Sequence, residues 1–165
     1  MGLSRTVRRR DDGWLDVALT GSIDEATDLD ALLADLPQGG GGVRLDLSGI
    51  DRLNSIGIHR WIPRFEAFAR QRPTTIEGLS YAVVMQTNCI TNLFAGATVR
   101  SCVAPYYCAG CDVAHAVRVD ASEVQPGRAP GKRCPTCGAA MQFDELPGYF
   151  QCLLPTRLIS AGPVR

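Results

Sequence analysis

The chain has no apolar run near the roughly 20 residues that a membrane-spanning helix needs, so no membrane span is expected. It has no net charge either. Its 17 basic and 17 acidic side chains cancel, which removes any global pull toward nucleic acid or an anionic membrane. Histidine is scarce: there are two, and neither belongs to a recognisable nucleophile–base pair, so an enzyme is not expected. The opening stretch, MGLSRTVRRR, has charge with no apolar segment behind it, so no secretory signal is expected. Gly2 and Thr6 fit the loose myristoylation pattern. Arg8, Arg9 and Arg10 read as a solvated N-terminal strand or tail.

Cysteine is not scarce. There are seven, an odd number, and four form two Cys-x-x-Cys pairs. A secreted disulfide scaffold would be short and even-numbered, so a reducing cytoplasm and a metal site are the better expectation. With 165 residues and 45% apolar content, the chain is long enough for one domain and a small appendage. Composition divides it. Residues 1–104 carry long periodic apolar segments and two cysteines, and 105–154 carry the other five among many Pro and Gly. The boundary is expected near Ala104–Pro105, giving domains 1–104 and 105–165.

In the first part, GWLDVALTG alternates, with Leu15, Val17 and Leu19 on one face, and reads as a strand ended by Gly21. Ala26, Leu29, Leu32, Leu33 and Leu36 recur at helical spacing, so a helix is expected over about 24–36. Its dense early acids suit the positive end of a helix, and Pro37 with the glycines at 39–42 terminates it. VRLDLSG is a second strand. A helix starting at about Ser55 carries the stripe Ile58, Trp61, Ile62, Phe65 and Ala69, with Pro63 expected to kink it. TTIEGL reads as a strand, SYAVVMQTNCITNLF as a helix, and ATVRSCVA as a last strand over 97–104. This alternation predicts an α/β layer fold, a sheet covered by helices.

Two constellations carry chemistry. The first is Asn54-Ser55-Ile56-Gly57, where a strand gives way to a helix. Helix N-termini at the carboxyl edge of an α/β sheet form ligand and partner sites, and the first-turn N–H groups favour an anion. Ser55 and Asn54 are equally suited to capping that helix, and Gly57 permits close approach of another backbone. His59 reads as a surface or half-buried side chain. The second constellation is Cys108-x₂-Cys111, then 22 residues, then Cys134-x₂-Cys137. Four thiolates on two tight turns suit a tetrahedral, structural Zn²⁺ site. A redox pair and an iron site compete with that reading, and His115 is a spare ligand. HAVRV at 115–119 and YFQCLL at 149–154 read as flanking strands. Cys89, Cys102 and Cys152 read as buried small hydrophobes.

LDVALTGSIDEATDLDALLADL, VRLDLSGIDRLNSIGIHRWI and GATVRSC resemble a STAS domain, the fold of bacterial anti-sigma factor antagonists. The resemblance implies a non-catalytic cytoplasmic signalling module with a protein partner, an anti-sigma-like or kinase-like protein. In the antagonists a strand leads into Asp-Ser-Ser/Thr-Gly-Leu/Ile, and the first Ser is phosphorylated. Ser55 then aligns as the phosphoacceptor, and Asn54, Ser55, Gly57 and His59 as the partner-binding stretch. Asn54 departs from the pattern in lacking a carboxylate, and Ile56 in lacking a hydroxyl. Residues 106–154 resemble a four-cysteine zinc ribbon, with Cys108, Cys111, Cys134 and Cys137 as the ligands.

A nucleic-acid-associated ribbon regulator is the alternative. With four Lys/Arg against five Asp/Glu in 105–154, the basic excess that reading needs is missing. Tyr106, Tyr107, Phe143, Tyr149 and Phe150 are therefore expected in a core rather than stacked on bases. The sequence sets no oligomeric state.

Overall fold

The computed structural model describes residues 2–34, 36, 41–90 and 92–154. Pro37, Gly39, Gly40, Thr91 and the tail from 155 lie outside the described residues. Among the described residues, nine strands form two sheets. The first holds β1 (Ser4–Arg9), β2 (Leu15–Ile23), β3 (Val43–Leu53), β4 (Thr74–Glu77) and β5 (Thr98–Val99), side by side in that order. β1 is antiparallel to β2, and the other pairs are parallel. The second sheet is antiparallel, in the order β7-β6-β9-β8, from β6 (Ser101–Cys108), β7 (Val113–Asp120), β8 (Lys132–Arg133) and β9 (Ala140–Phe143). The helices are α1 (Leu29–Ala34), α2 (Ser55–Gln71) and α3 (Tyr81–Cys89). The expected α/β layering is therefore present.

Several boundaries moved, each for a local reason. β2 does not end at Gly21. That residue adopts φ +111 where the β2–β3 register shifts, so its freedom carries the strand through a bulge to Ile23. β3 likewise runs past Gly49 to Leu53, paired with β2 to its end. α1 starts five residues later than expected. Asp24 and Thr27 tie the preceding turn through Ala26 N–H to Asp24 Oδ1 at 3.0 Å and Asp24 N–H to Thr27 Oγ1 at 3.0 Å. Such local side-chain bonds compete with helix formation. Asp28 then takes Ala31 N–H at 2.9 Å. α2 runs as one helix through the exposed Pro63. Its buried face adds Phe68 to Ile58, Trp61 and Phe65. The expected strand at 149–154 is a 3₁₀ helix over Pro147–Leu153. Its buried residues are Tyr149, Phe150 and Leu153, a helical spacing that a short aromatic run conceals.

The position expected to separate two domains, Ala104–Pro105, lies inside β6, and no linker interrupts the strand there. β6 is paired with β7 along its whole length. Pro105 accepts Asp144 N–H at 3.1 Å but has no N–H to return, and the pairing with β9 stops there. The first sheet also grips β6. Leu79 N–H donates to Ser101 O at 3.1 Å, Val103 N–H donates to Leu79 O at 2.7 Å, and Gly78 N–H donates to Ser101 Oγ at 2.9 Å. Asn88 of α3 clasps the 3₁₀ helix, donating to Tyr149 O at 3.0 Å and accepting Cys152 N–H at 3.1 Å. Buried residues of both sheets thus form one hydrophobic cluster.

Candidate functional site

The four Cys-x-x-Cys sulfurs converge, all lying within 4.8 Å of one another. Cys108 comes from the end of β6 and Cys134 from the residue after β8, and each is followed by a tight turn. Asp112 at φ +55 and Gly138 at φ +73 reverse the chain beyond each pair. Sγ of Cys108 stands 3.5 Å from that of Cys137, and Sγ of Cys111 3.8 Å from that of Cys134. Four sulfurs placed tetrahedrally at about 2.3 Å from one ion are about 3.8 Å apart, so the cluster has the spacing of a metal site. Backbone N–H groups support it. Those of Cys111 and Gly110 point at Cys108 Sγ, and those of Cys137 and Thr136 at Cys134 Sγ. Held by the Cys137 N–H, the Cys134 thiol is drawn down to about 6. The Cys111 thiol is pushed up to about 12, first by sharing a proton with Cys137 and then by burial. Packed thiolates repel one another, and a dication would relieve that repulsion.

All four cysteines expected as ligands are therefore together. His115 is close as well, with Nε2 3.6 Å from Cys134 Sγ. The leftover cysteines divide. Cys102 is buried, its thiol pushed up to about 12 by desolvation, and Cys152 is half-buried, but Cys89 is exposed at the end of α3, contrary to expectation. Tyr106, Tyr149 and Phe150 are buried. Phe143 packs against all three, with ring centroids 4.8–5.9 Å apart. These four rings pack into one aromatic core. Tyr107 instead hydrogen-bonds Asp112 with its hydroxyl.

The Asn54-Ser55-Ile56-Gly57 constellation sits where β3 passes into α2. Asn54, and not Ser55, is the N-cap: its Oδ1 accepts Gly57 N–H at 2.8 Å. Its Nδ2 donates to Glu25 Oε2 at 2.5 Å, and its N–H to Ile23 O at 3.2 Å. Asn54 thus ties α2 to the loop after β2. A carboxylate at 54 would face Glu25, so the amide that broke the motif suits this neighbour. Glu25 is held below the usual carboxylate range by its own backbone N–H and by Asn54. Ser55 is the first helical residue and is exposed, as is His59 one turn on. Ile56 beside it is 54% exposed. Gly57 is buried, and a Cβ there would overlap the Ile23 carbonyl, so its close neighbour is β2 of its own chain. The signal for Ile56 was present in the sequence, since it lies two residues before Ile58 and off the apolar stripe of α2.

Next to this corner lies a shallow groove of about 270 Å³ between the β2–α1 loop and α2. Arg60 donates to Glu25 O across it, and Arg64 pairs with Asp30 at 2.9 Å. Among the described residues no helix is long and apolar enough to cross a membrane.

No protein-family model and no curated protein matches the chain. Among solved structures, an anti-sigma factor antagonist from Mycobacterium paratuberculosis is similar to part of it. The identity is 21%, the TM-score 0.45, and the match covers 59% of this chain and 84% of that one.

Proposed function

We propose that the protein is a non-catalytic regulatory module that binds a protein partner through the corner where β3 meets α2. In this reading residues 1–104 supply a STAS-like scaffold and 105–165 a zinc ribbon. Ser55 is the residue through which a kinase would switch the surface. The observation that carries the reading is the division of labour at the corner. Asn54 does the capping, which leaves the Ser55 hydroxyl exposed, beside an exposed Ile56, at the positive end of a 17-residue helix. A phosphate on Ser55 would be favoured by that helix end and would stand one turn from His59. The same phosphate would add negative charge beside the exposed Ile56, and so release or recruit a partner.

Zn²⁺ fits the four thiolates best on donor chemistry and spacing. With four protein ligands it would be closed to substrate and would act as a cross-link. Thiolates free to bind metal belong in a reducing compartment, which favours the cytoplasm.

The test compares wild type with Ser55→Asp and Ile56→Arg in a native pull-down from the source cell, with intact mass and metal content of the recovered chain. The expected result is one zinc per chain and a protein partner retained by wild type and lost by both variants, with thermal stability unchanged. A partner held equally by all three chains, or none recovered by wild type, would overturn the recognition surface.

A further inference from the structure

The two knuckles are alike in their backbone donors and differ in one side chain. Cys108 Sγ and Cys134 Sγ each face two N–H groups of their own turn. Only Cys134 also faces an imidazole, with His115 Nε2 at 3.6 Å. His115 reaches it from β7, one outer strand of the second sheet, while Cys134 follows β8, the other outer strand. Lys132 Nζ to Glu123 Oε2 at 2.6 Å links β8 to the turn after β7, so side chains from the two outer edges of the sheet meet. His115 is half-buried, which restricts its ring, and Cys134 is 3% exposed whereas Cys137 is exposed.

Four sulfurs already complete a tetrahedral shell, which leaves the ring nitrogen outside it. A neutral imidazole with its proton on Nε2 is a donor at that atom, and a thiolate is an acceptor. A third donor drains further charge from the Cys134 sulfur and fixes its direction, as outer partners of metal ligands do. We propose that His115 is a positioning residue that hydrogen-bonds the Cys134 thiolate and makes it the last of the four sulfurs to leave the metal. The exposed Cys137, without such a partner, is the first. The inference rests on the reading of the cluster as a metal site.

The test uses the full chain, loaded with zinc or with cobalt, as wild type, His115→Leu and His115→Gln. Chelator competition should show about 10- to 100-fold weaker metal binding for the leucine variant, with most of it restored by glutamine, whose amide still donates. In the cobalt form the sulfur-to-metal charge-transfer band should move to lower energy in the leucine variant, with the d–d envelope unchanged. Mapping of alkylation with N-ethylmaleimide should find Cys134 modified last in wild type and early in the leucine variant. Should leucine prevent folding, His115→Asn replaces it, since a shorter amide falls short of the sulfur and should bind more weakly than glutamine. Wild-type affinity and band position in the leucine or asparagine variant would overturn the inference. So would a d–d envelope that changes on removing the ring, which would make His115 a ligand. A wild-type chain that takes up no metal would overturn the metal reading itself, and is told apart by metal content alone.

Discussion

The five-stranded sheet and the four-stranded sheet solve the problem of burial differently. In the first, Val17, Leu19, Val43, Leu45, Leu47 and Ile76 are at most 1% exposed, and α2 adds Trp61 and Phe65. In the second, β7 and the segment from Pro135 to Ala140 are mostly exposed. Among the described residues, those buried beyond β6 are Val119, Cys134 and Met141, with Tyr149, Phe150 and Leu153 of the 3₁₀ helix. About 50 residues with so small a core need a further constraint, and a metal held by the four converging thiols would supply one. The lesson is that the two sheets need not share a source of stability although they share a core. One stands on apolar area; the other, in the proposed reading, stands on a metal cross-link plus the grip of Leu79 and Asn88.

If the four thiols hold a metal as proposed, its removal should have the largest effect. Structural zinc sites contribute about 10–16 kcal/mol of apparent binding energy at neutral pH. Chelation, or Cys134→Ser, should remove hydrogen-exchange protection from 108–143 and leave β2, β3 and β4 protected. Equal loss in both sheets would show a single cooperative unit. The reverse experiment is Phe65→Ala. It deletes a ring with no exposed surface that stacks on Trp61 at 5.2 Å, and should cost about 3–5 kcal/mol in denaturant melts with or without metal. Dependence of that loss on metal would contradict the division. Gly57→Ala should come next, at about 2–3 kcal/mol, because the added methyl overlaps the Ile23 carbonyl and α2 must move off β2.

The smallest effects sharpen the corner itself. Asn54→Ala should cost about 1 kcal/mol through loss of the cap. Ser55→Ala should stay within about 0.5 kcal/mol, as an exposed residue away from any structural contact does. If Ser55→Ala proved as costly as Asn54→Ala, the hydroxyl would have a structural duty and the recognition reading would lose its support. Thermal melts of the two variants side by side decide this.

Much of this was legible in one dimension. The alternation of Leu15, Val17 and Leu19 and the spacing of Ile58, Trp61 and Phe65 report burial directly, because side-chain period is set by backbone geometry. The paired Cys-x-x-Cys spacing reports convergence for a similar reason, since two residues suffice to turn both sulfurs inward. What misled was punctuation. Gly21 and Gly49 read as ends, yet both sit inside paired strands, where a neighbouring strand and a bulge decide the matter. Tyr149 and Phe150 carry strong strand propensity, and packing against Phe143 and Asn88 overrode it.

By itself the sequence determined the periodic elements, the α/β class and the four thiols, because each depends on residues near one another along the chain. Only the tertiary structure decided that Asn54 caps and Ser55 does not, since the choice turns on Glu25 and Ile23. It also decided that β6 belongs to both halves, and that His115 meets a cysteine 19 residues away. Those outcomes depend on strand register, which arises from long-range pairing and leaves no mark in local spacing.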